Sequence, residues 1–264
     1  MRISKKIITA IVSILVVFGL VSSKDANTIL KLLNNATQSS SNTSGDYSSS
    51  STSDTTQVSV TDYSNTIATI GEVDIPQYTG EASYVVNDGE PYFLKEELTN
   101  VTYVTFSSLD SLERQGVADA VLGPETLQDH ERGSISQYHP SGWWEAKQTD
   151  VNVNRCHLIG NQLGGDQTDC LENLVTGSRY MNVEGQLPYE NEVDDYIEST
   201  ANHVRYRVTP IFEGNDVTCK GVLMEAYSIE DNGAGIKFCV YCYNVQPGYV
   251  CDYSIGLWEK IISE

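Results

Sequence analysis

The sequence predicts a mixed α+β domain behind an N-terminal export segment and a polar linker. Val101–Phe106 and Val204–Phe212 alternate side chains with the two-residue period of strands. Gly221–Ser228, the turn residues Asp231-Asn232-Gly233 and Ile236–Val245 read as an antiparallel hairpin. Leu109–Leu122 and Tyr189–Val204 carry apolar residues at helical spacing, the second opening after Pro188 with acidic residues in its first turns.

From the N-terminus, Arg2, Lys5 and Lys6 precede an apolar run, Ile7 to Val21, and Val21-Ser22-Ser23 offers a cleavage site. That order predicts a secretory signal peptide over residues 1–23, and hence a secreted protein; a retained membrane anchor is the alternative. A linker over residues 24–65 follows. It holds a short helical candidate, Asp25 to Leu33, then a Ser/Thr/Asn-rich tract from Ala36 to about Asn65 that has too little apolar surface to form a core.

The domain is expected over residues 74–264. Ser83–Asn87 reads as a strand, Asp88-Gly89 as a turn and Pro91–Leu94 as a second extended piece. Gly123–Asp150 is loop-rich and includes Pro140-Ser141-Gly142 before Trp143-Trp144. His157–Gly160 leads into a loop at Gly164-Gly165-Asp166, and Asn173–Thr176 resumes apolar structure.

Export makes the six cysteines compatible with disulfides. Cys242 and Cys251 flank Gln246-Pro247-Gly248 and could face each other across that turn, while the sequence leaves open which cysteines are bridged. Cys156 reads as a free buried thiol, and only Cys239 and Cys242 have a spacing suited to zinc. The formal charge of −20 excludes a uniformly basic nucleic-acid-binding surface. Arg132, Lys147, Arg155, Arg179, Arg205 and Arg207 nevertheless crowd one part of the sequence, where a divalent cation would add to them. Weak, distributive binding of a polyanion, or a need for metal and moderate salt, is the expected result, and turnover is not excluded.

The chemistry centres on Asn154-Arg155-Cys156-His157 and, about twenty-five residues on, Arg179-Tyr180-Met181-Asn182. A histidine with a near-neutral pKa can take a proton from water. An asparagine oxygen can hold magnesium, or manganese, without placing negative charge beside a phosphate. Arg132 or Arg155 suits bidentate contact to phosphate oxygens, and Glu190, early in the following helix, suits the water shell of the metal. His130, His139 and His203 read as structural.

Further segments join this pair: Glu131-Arg132-Gly133-Ser134-Ile135, Pro140-Ser141-Gly142-Trp143, Asn173-Leu174-Val175-Thr176-Gly177, Val204-Arg205-Tyr206-Arg207-Val208 and Asn244-Val245-Gln246-Pro247-Gly248. Taken in order over Asp74 to Tyr253, the chain resembles the DNA/RNA non-specific endonucleases of the ββα-metal (His-metal finger) class, closest to the exported nucleases of Gram-positive bacteria. The resemblance implies a ββα-metal fold, a central antiparallel sheet flanked by helices. It implies DNA and RNA as substrates, one magnesium ion, His157 as general base and Asn182 as metal ligand. It also places Glu190 near the metal's water shell and Arg132 on phosphate.

The family's Asp-Arg-Gly-His motif appears here with Asn154 for Asp and Cys156 for Gly. A lost carboxylate is expected to weaken support for the histidine or a nearby arginine, and a thiol to add bulk beside the metal. Two other readings stand beside the nuclease: a non-catalytic surface or binding module that keeps the fold, and a Cys156 nucleophile activated by His157. Strand neighbours point to opposite faces, which argues against the last. An inhibitor protein is a possible partner class that no residue announces, and contact with a membrane would run only through the N-terminal segment.

Overall fold

The computed structural model describes residues 66–70, 73–128, 131 and 133–262. The predicted export segment, the linker up to Asn65, His130 and Arg132 lie outside the described residues. In chain order the strands are β1 (Thr66–Ile70), β2 (Val73–Pro76), β3 (Ser83–Val85), β4 (Tyr103–Phe106), β5 (Ala118–Leu122) and β6 (Val153–His157). They continue as β7 (Leu174–Ser178), β8 (Val204–Ile211), β9 (Gly221–Ser228), β10 (Lys237–Tyr243), β11 (Tyr249–Asp252) and β12 (Leu257–Lys260). The helices are α1 (Trp143–Ala146), α2 (Asn161–Gly164) and α3 (Leu187–Thr200), the last entered through a π-helical turn, Met181–Gln186.

A six-stranded antiparallel sheet in the order β3-β10-β9-β8-β5-β4 forms the centre, so the fold is α+β as the sequence predicts. Its two faces follow from the strand period of two. Val204, Tyr206 and Val208 of β8, Met224 and Ala226 of β9, and Phe238, Val240 and Cys242 of β10 pack in one core cluster. That cluster also takes in Cys156 and Val175 from the β6–β7 hairpin, and Met181, Val193 and Ile197 from the helix that follows. The opposite face buries Leu223, Cys239, Tyr241 and Tyr243 against Ile75 and Val86.

The β9–β10 hairpin forms as predicted, with Asn232 and Gly233 both at positive φ in its turn. Gly248 also takes a positive φ, and the Tyr249 N–H donates to the Gln246 carbonyl, closing the predicted turn there. The helix expected over Tyr189–Val204 runs from Leu187, with Pro188 in its first turn, to Thr200. Ala201 ends it in the left-handed region.

The helix expected over Leu109–Leu122 does not form; Ala118–Leu122 is β5, inside the sheet. The Asp110 carboxylate accepts the backbone N–H groups of Leu112 and Arg114 and the Arg114 Nε–H. Such side-chain-to-backbone bonds compete with helical ones and hold a turn, with Glu113 at φ 59°. Val117 to Leu122 is then free to alternate, sending Ala118, Ala120 and Leu122 into the core.

The cysteine pairing is also corrected. All six cysteines are free thiols. Cys242 sits in the middle of the sheet's buried face with its Sγ 3.5 Å from Met224 Sδ, whereas Cys251 lies on β11 opposite Trp258. Among the described residues no helix is long and apolar enough to cross a membrane.

Candidate active site

β6 and β7 form an antiparallel hairpin in which His157 pairs with Leu174 and Arg155 with Thr176. Alternation sends Cys156 into the core and its neighbours to the other side. A methyl at Gly177 would stand 2.6 Å from Cys156 Sγ and 2.4 Å from Met181 Cε, so the thiol already fills the space between hairpin and helix. Burial pushes that thiol well above its usual pKa, with Cys219 and Glu190 adding to the effect. Its bulk faces the core, not the metal side expected from sequence. A neutral thiol on the far side of the strand from His157 is also no nucleophile for a shared site.

Chain turns on either side of the hairpin are stitched by amides. The Asn173 side chain accepts from the Ile159 N–H at 3.0 Å and donates to the Ile159 and Thr168 carbonyls, both at 2.9 Å. Gln186, in the π-helical turn, donates through Nε2 to the His157 carbonyl at 2.9 Å. Ser178 Oγ accepts the Met181 N–H at 2.9 Å and so caps the turn that carries Asn182. Asn244 accepts from the Ser178 N–H and donates to the Thr176 and Cys219 carbonyls, tying β7 to the end of β10. The stretch bearing His157 and the helix bearing Asn182 are thus held to each other and to the sheet.

Both residues open into one cleft of about 310 Å³, lined also by Ile135, Trp143, Val153, Asn154 and Arg155. His157 is buried to 7% exposure, and its Nε2 lies 2.9 Å from Asp169 Oδ1. Arg155 donates from Nε to the Tyr138 carbonyl and from Nη2 to the Ser136 carbonyl, and its guanidinium lies 3.9 Å from the Trp143 ring centre. The Nε/Nη2 edge expected to grip a phosphate is therefore committed to the 136–138 loop, leaving Nη1 as the donor for a ligand. Burial lowers the Arg155 pKa. The loss of Asp at position 154 leaves neither group unsupported: the histidine is held by Asp169 and the arginine by carbonyls and an indole.

Glu190 does not line this cleft. It is buried on α3 against Gly160, where a methyl would stand 2.9 Å from its Oε1. Arg205 and Arg207 are on the opposite face of the sheet, so the basic cluster inferred from sequence is divided. They line a larger cavity of about 580 Å³ with Glu97, Asp119 and Glu225. Arg205 is 2.7 Å from Asp119 and 3.1 Å from Glu97, and Arg207 is 2.7 Å from Glu225. Phe93 lies 4.7 Å from both guanidiniums. With carboxylates and an aromatic ring already on its cations, this cavity is a structural ion-pair network. His203, paired with Glu230 at 2.6 Å, and His139, stacked on Trp144, have the structural placements expected of them.

Among the described residues no group of three or more His, Cys, Asp or Glu converges to hold a metal. What the cleft offers is the Asn182 amide beside His157, and no hydrogen bond to a described residue engages that amide. One neutral oxygen in a polar cleft fits a hard ion that keeps most of its water shell, such as magnesium. Asp169 was missed in the sequence. It lies twelve residues after His157 in a run of polar turn residues, and only its distance from the ring singles it out.

Among curated proteins, none matches the chain. The family profile described as DNA/RNA non-specific endonuclease matches residues 95–230. The structure of NucA from Streptococcus agalactiae with a magnesium ion bound is similar, with 25% identity, a TM-score of 0.60, and coverage of 70% of this chain and 89% of that one. The metal-free structure of the same protein gives 25% identity and a TM-score of 0.59 over the same shares. The Sda1 nuclease with a bound zinc ion, 22% identical, shares the fold with a TM-score of 0.58 over 69% of this chain and 97% of that one.

Proposed function

Because the chain belongs to the DNA/RNA non-specific endonuclease family, we propose that it is an exported, metal-dependent endonuclease cutting phosphodiester bonds in DNA and RNA alike. The observation that carries this reading is the convergence of His157 and Asn182, from a strand end and a helix start, on one polar cleft. Export rests on the N-terminal sequence, Arg2 to Ser23.

In this reading His157 takes the proton of the attacking water on the ring nitrogen that carries the lone pair. Asn182 offers its Oδ1 to a single divalent ion, magnesium or manganese in preference to zinc, which usually takes three or more nitrogen or sulfur ligands. When bound, that ion supplies positive charge to the crowded phosphate and the departing oxygen. On the same reading Arg155 offers Nη1 to a non-bridging oxygen, while Trp143, 3.9 Å from the guanidinium, supports its orientation. Arg132 as a second phosphate contact stays part of the proposal on its sequence position alone. Glu190, packed behind the His157 turn at Gly160, holds that turn against α3. Membership of a non-specific endonuclease family implies contacts mainly to phosphate and sugar, and hence low sequence preference.

The test is incubation of the purified protein with supercoiled plasmid and with RNA, in magnesium and in chelator. Metal-dependent loss of both substrates is expected. A folded protein that binds nucleic acid without cutting it in any divalent metal would replace the enzyme with a binding module.

A further inference from the structure

We infer that Asp169 is the positioning residue of His157, setting which ring nitrogen acts as base; the inference rests on the nuclease reading above. Asp169 Oδ1 lies 2.9 Å from His157 Nε2, and the two side chains are only 14% and 8% exposed. An ionised carboxylate has no proton to give, so the hydrogen in that bond belongs to Nε2. In neutral imidazole the lone pair then sits on Nδ1, and that nitrogen takes the proton from water.

The bond is built in by its surroundings. Asp169 closes a 3-10 turn, Gly165–Thr168, and its N–H donates to the Asp166 carbonyl at 3.1 Å. Asn173 grips the Thr168 carbonyl next to it and the Ile159 backbone just after His157, so one amide holds both chain segments at a constant separation. On the outer side, a methyl at Gly133 would stand 3.3 Å from Asp169 Oδ2, so the loop that leads to the cleft residue Ile135 also covers the carboxylate. The His157 carbonyl is held from the other direction by Gln186. Once the ring has taken its proton, the same carboxylate faces an imidazolium and stabilises it, as an aspartate does behind the histidine of a hydrolase triad. The motif's own acidic position is Asn154, so the carboxylate that serves His157 comes from twelve residues downstream.

The experiment measures kcat and KM of the full chain on a defined oligonucleotide for wild type, Asp169→Asn, Asp169→Ala, His157→Ala and the double variant Asp169→Asn/His157→Ala. Nitrogen-15 NMR of the His157 ring accompanies it. Asp169→Asn keeps shape but can turn its NH2 toward the ring, so kcat should fall about 100-fold or more with KM within about twofold. The ring should lose its predominance of the Nε2–H tautomer, and the double variant should be no slower than His157→Ala alone. Wild-type kcat in Asp169→Asn and Asp169→Ala beside an inactive His157→Ala would overturn the positioning role and leave the base in place. Full activity in His157→Ala would remove the base itself, and the positioning role with it.

Discussion

Cys156→Ala separates packing from chemistry at the altered motif. Cys156 is fully buried between Gly177 and Met181, on the core side of β6, while His157 opens on the cleft side. Removing the sulfur forfeits the transfer of roughly one methylene-sized group, about 0.8 kcal/mol. A residual hole of roughly 25 Å³ adds about 0.6 kcal/mol. The sum, about 1.4 kcal/mol, lowers the melting temperature by about 3–6 °C in a domain of this size. Thermal unfolding followed by circular dichroism measures that shift, and initial rates at 25 °C measure activity. The expected result is the lowered melting temperature with kcat within about twofold of wild type, because no atom facing the cleft has changed. A fall in kcat of more than about tenfold at unchanged melting temperature would refute the reasoning, since it would put the thiol in the chemistry.

The same architecture makes further predictions. A thiol reagent applied in denaturant without reductant should titrate all six cysteines; four would reveal a bridge. Arg205→Ala should cost about 3 kcal/mol, because Asp119 and Glu97 lose a partner that is only 2% exposed. Its kcat should stay at the wild-type value when assayed well below the melting point, and a selective loss of kcat would place Arg205 on the substrate. Burial raises the Glu97 pKa, but the Leu94 N–H and the Arg205 and Arg207 guanidiniums outweigh it, and the carboxyl ends below its ordinary 4.5. A depressed carboxylate contributes stability above its unfolded value and loses it as pH falls through the lower folded one. Melting temperature should therefore drop less steeply below pH 4.5 in Glu97→Gln than in wild type; parallel profiles would count against the network.

Much of this architecture is legible in the sequence where the signal is local. The β9–β10 hairpin announces itself through alternation and Asn232-Gly233, and α3 through Pro188 and its acidic first turn. Alternation also shows that Arg205 and Arg207 share a face. Which face that is depends on the strand order, with β8 between β5 and β9, and this placed them away from the cleft. β5 was hidden because Leu109 to Leu122 satisfies a helical spacing until Asp110 folds back on the backbone of Leu112 and Arg114. Cys242 and Cys251 are near in sequence, but one belongs to the central sheet and the other to the β11–β12 pair. His157 and Asn182 were legible as a pair because their signal lies in residue type and local motif spacing, and both line one cleft. Asp169 was not, because its place at the ring depends on a turn and on the Asn173 clamp.

The most direct test of the central claim is single-turnover cleavage of one labelled DNA across a magnesium titration, by wild type, His157→Ala and Asn182→Ala. Wild type should saturate with magnesium, His157→Ala should be inactive at every concentration, and Asn182→Ala should require far more magnesium and still cut more slowly. An Asn182→Ala curve superimposable on wild type, or a His157→Ala protein that cuts at the wild-type rate, would contradict a site built from that histidine and that amide.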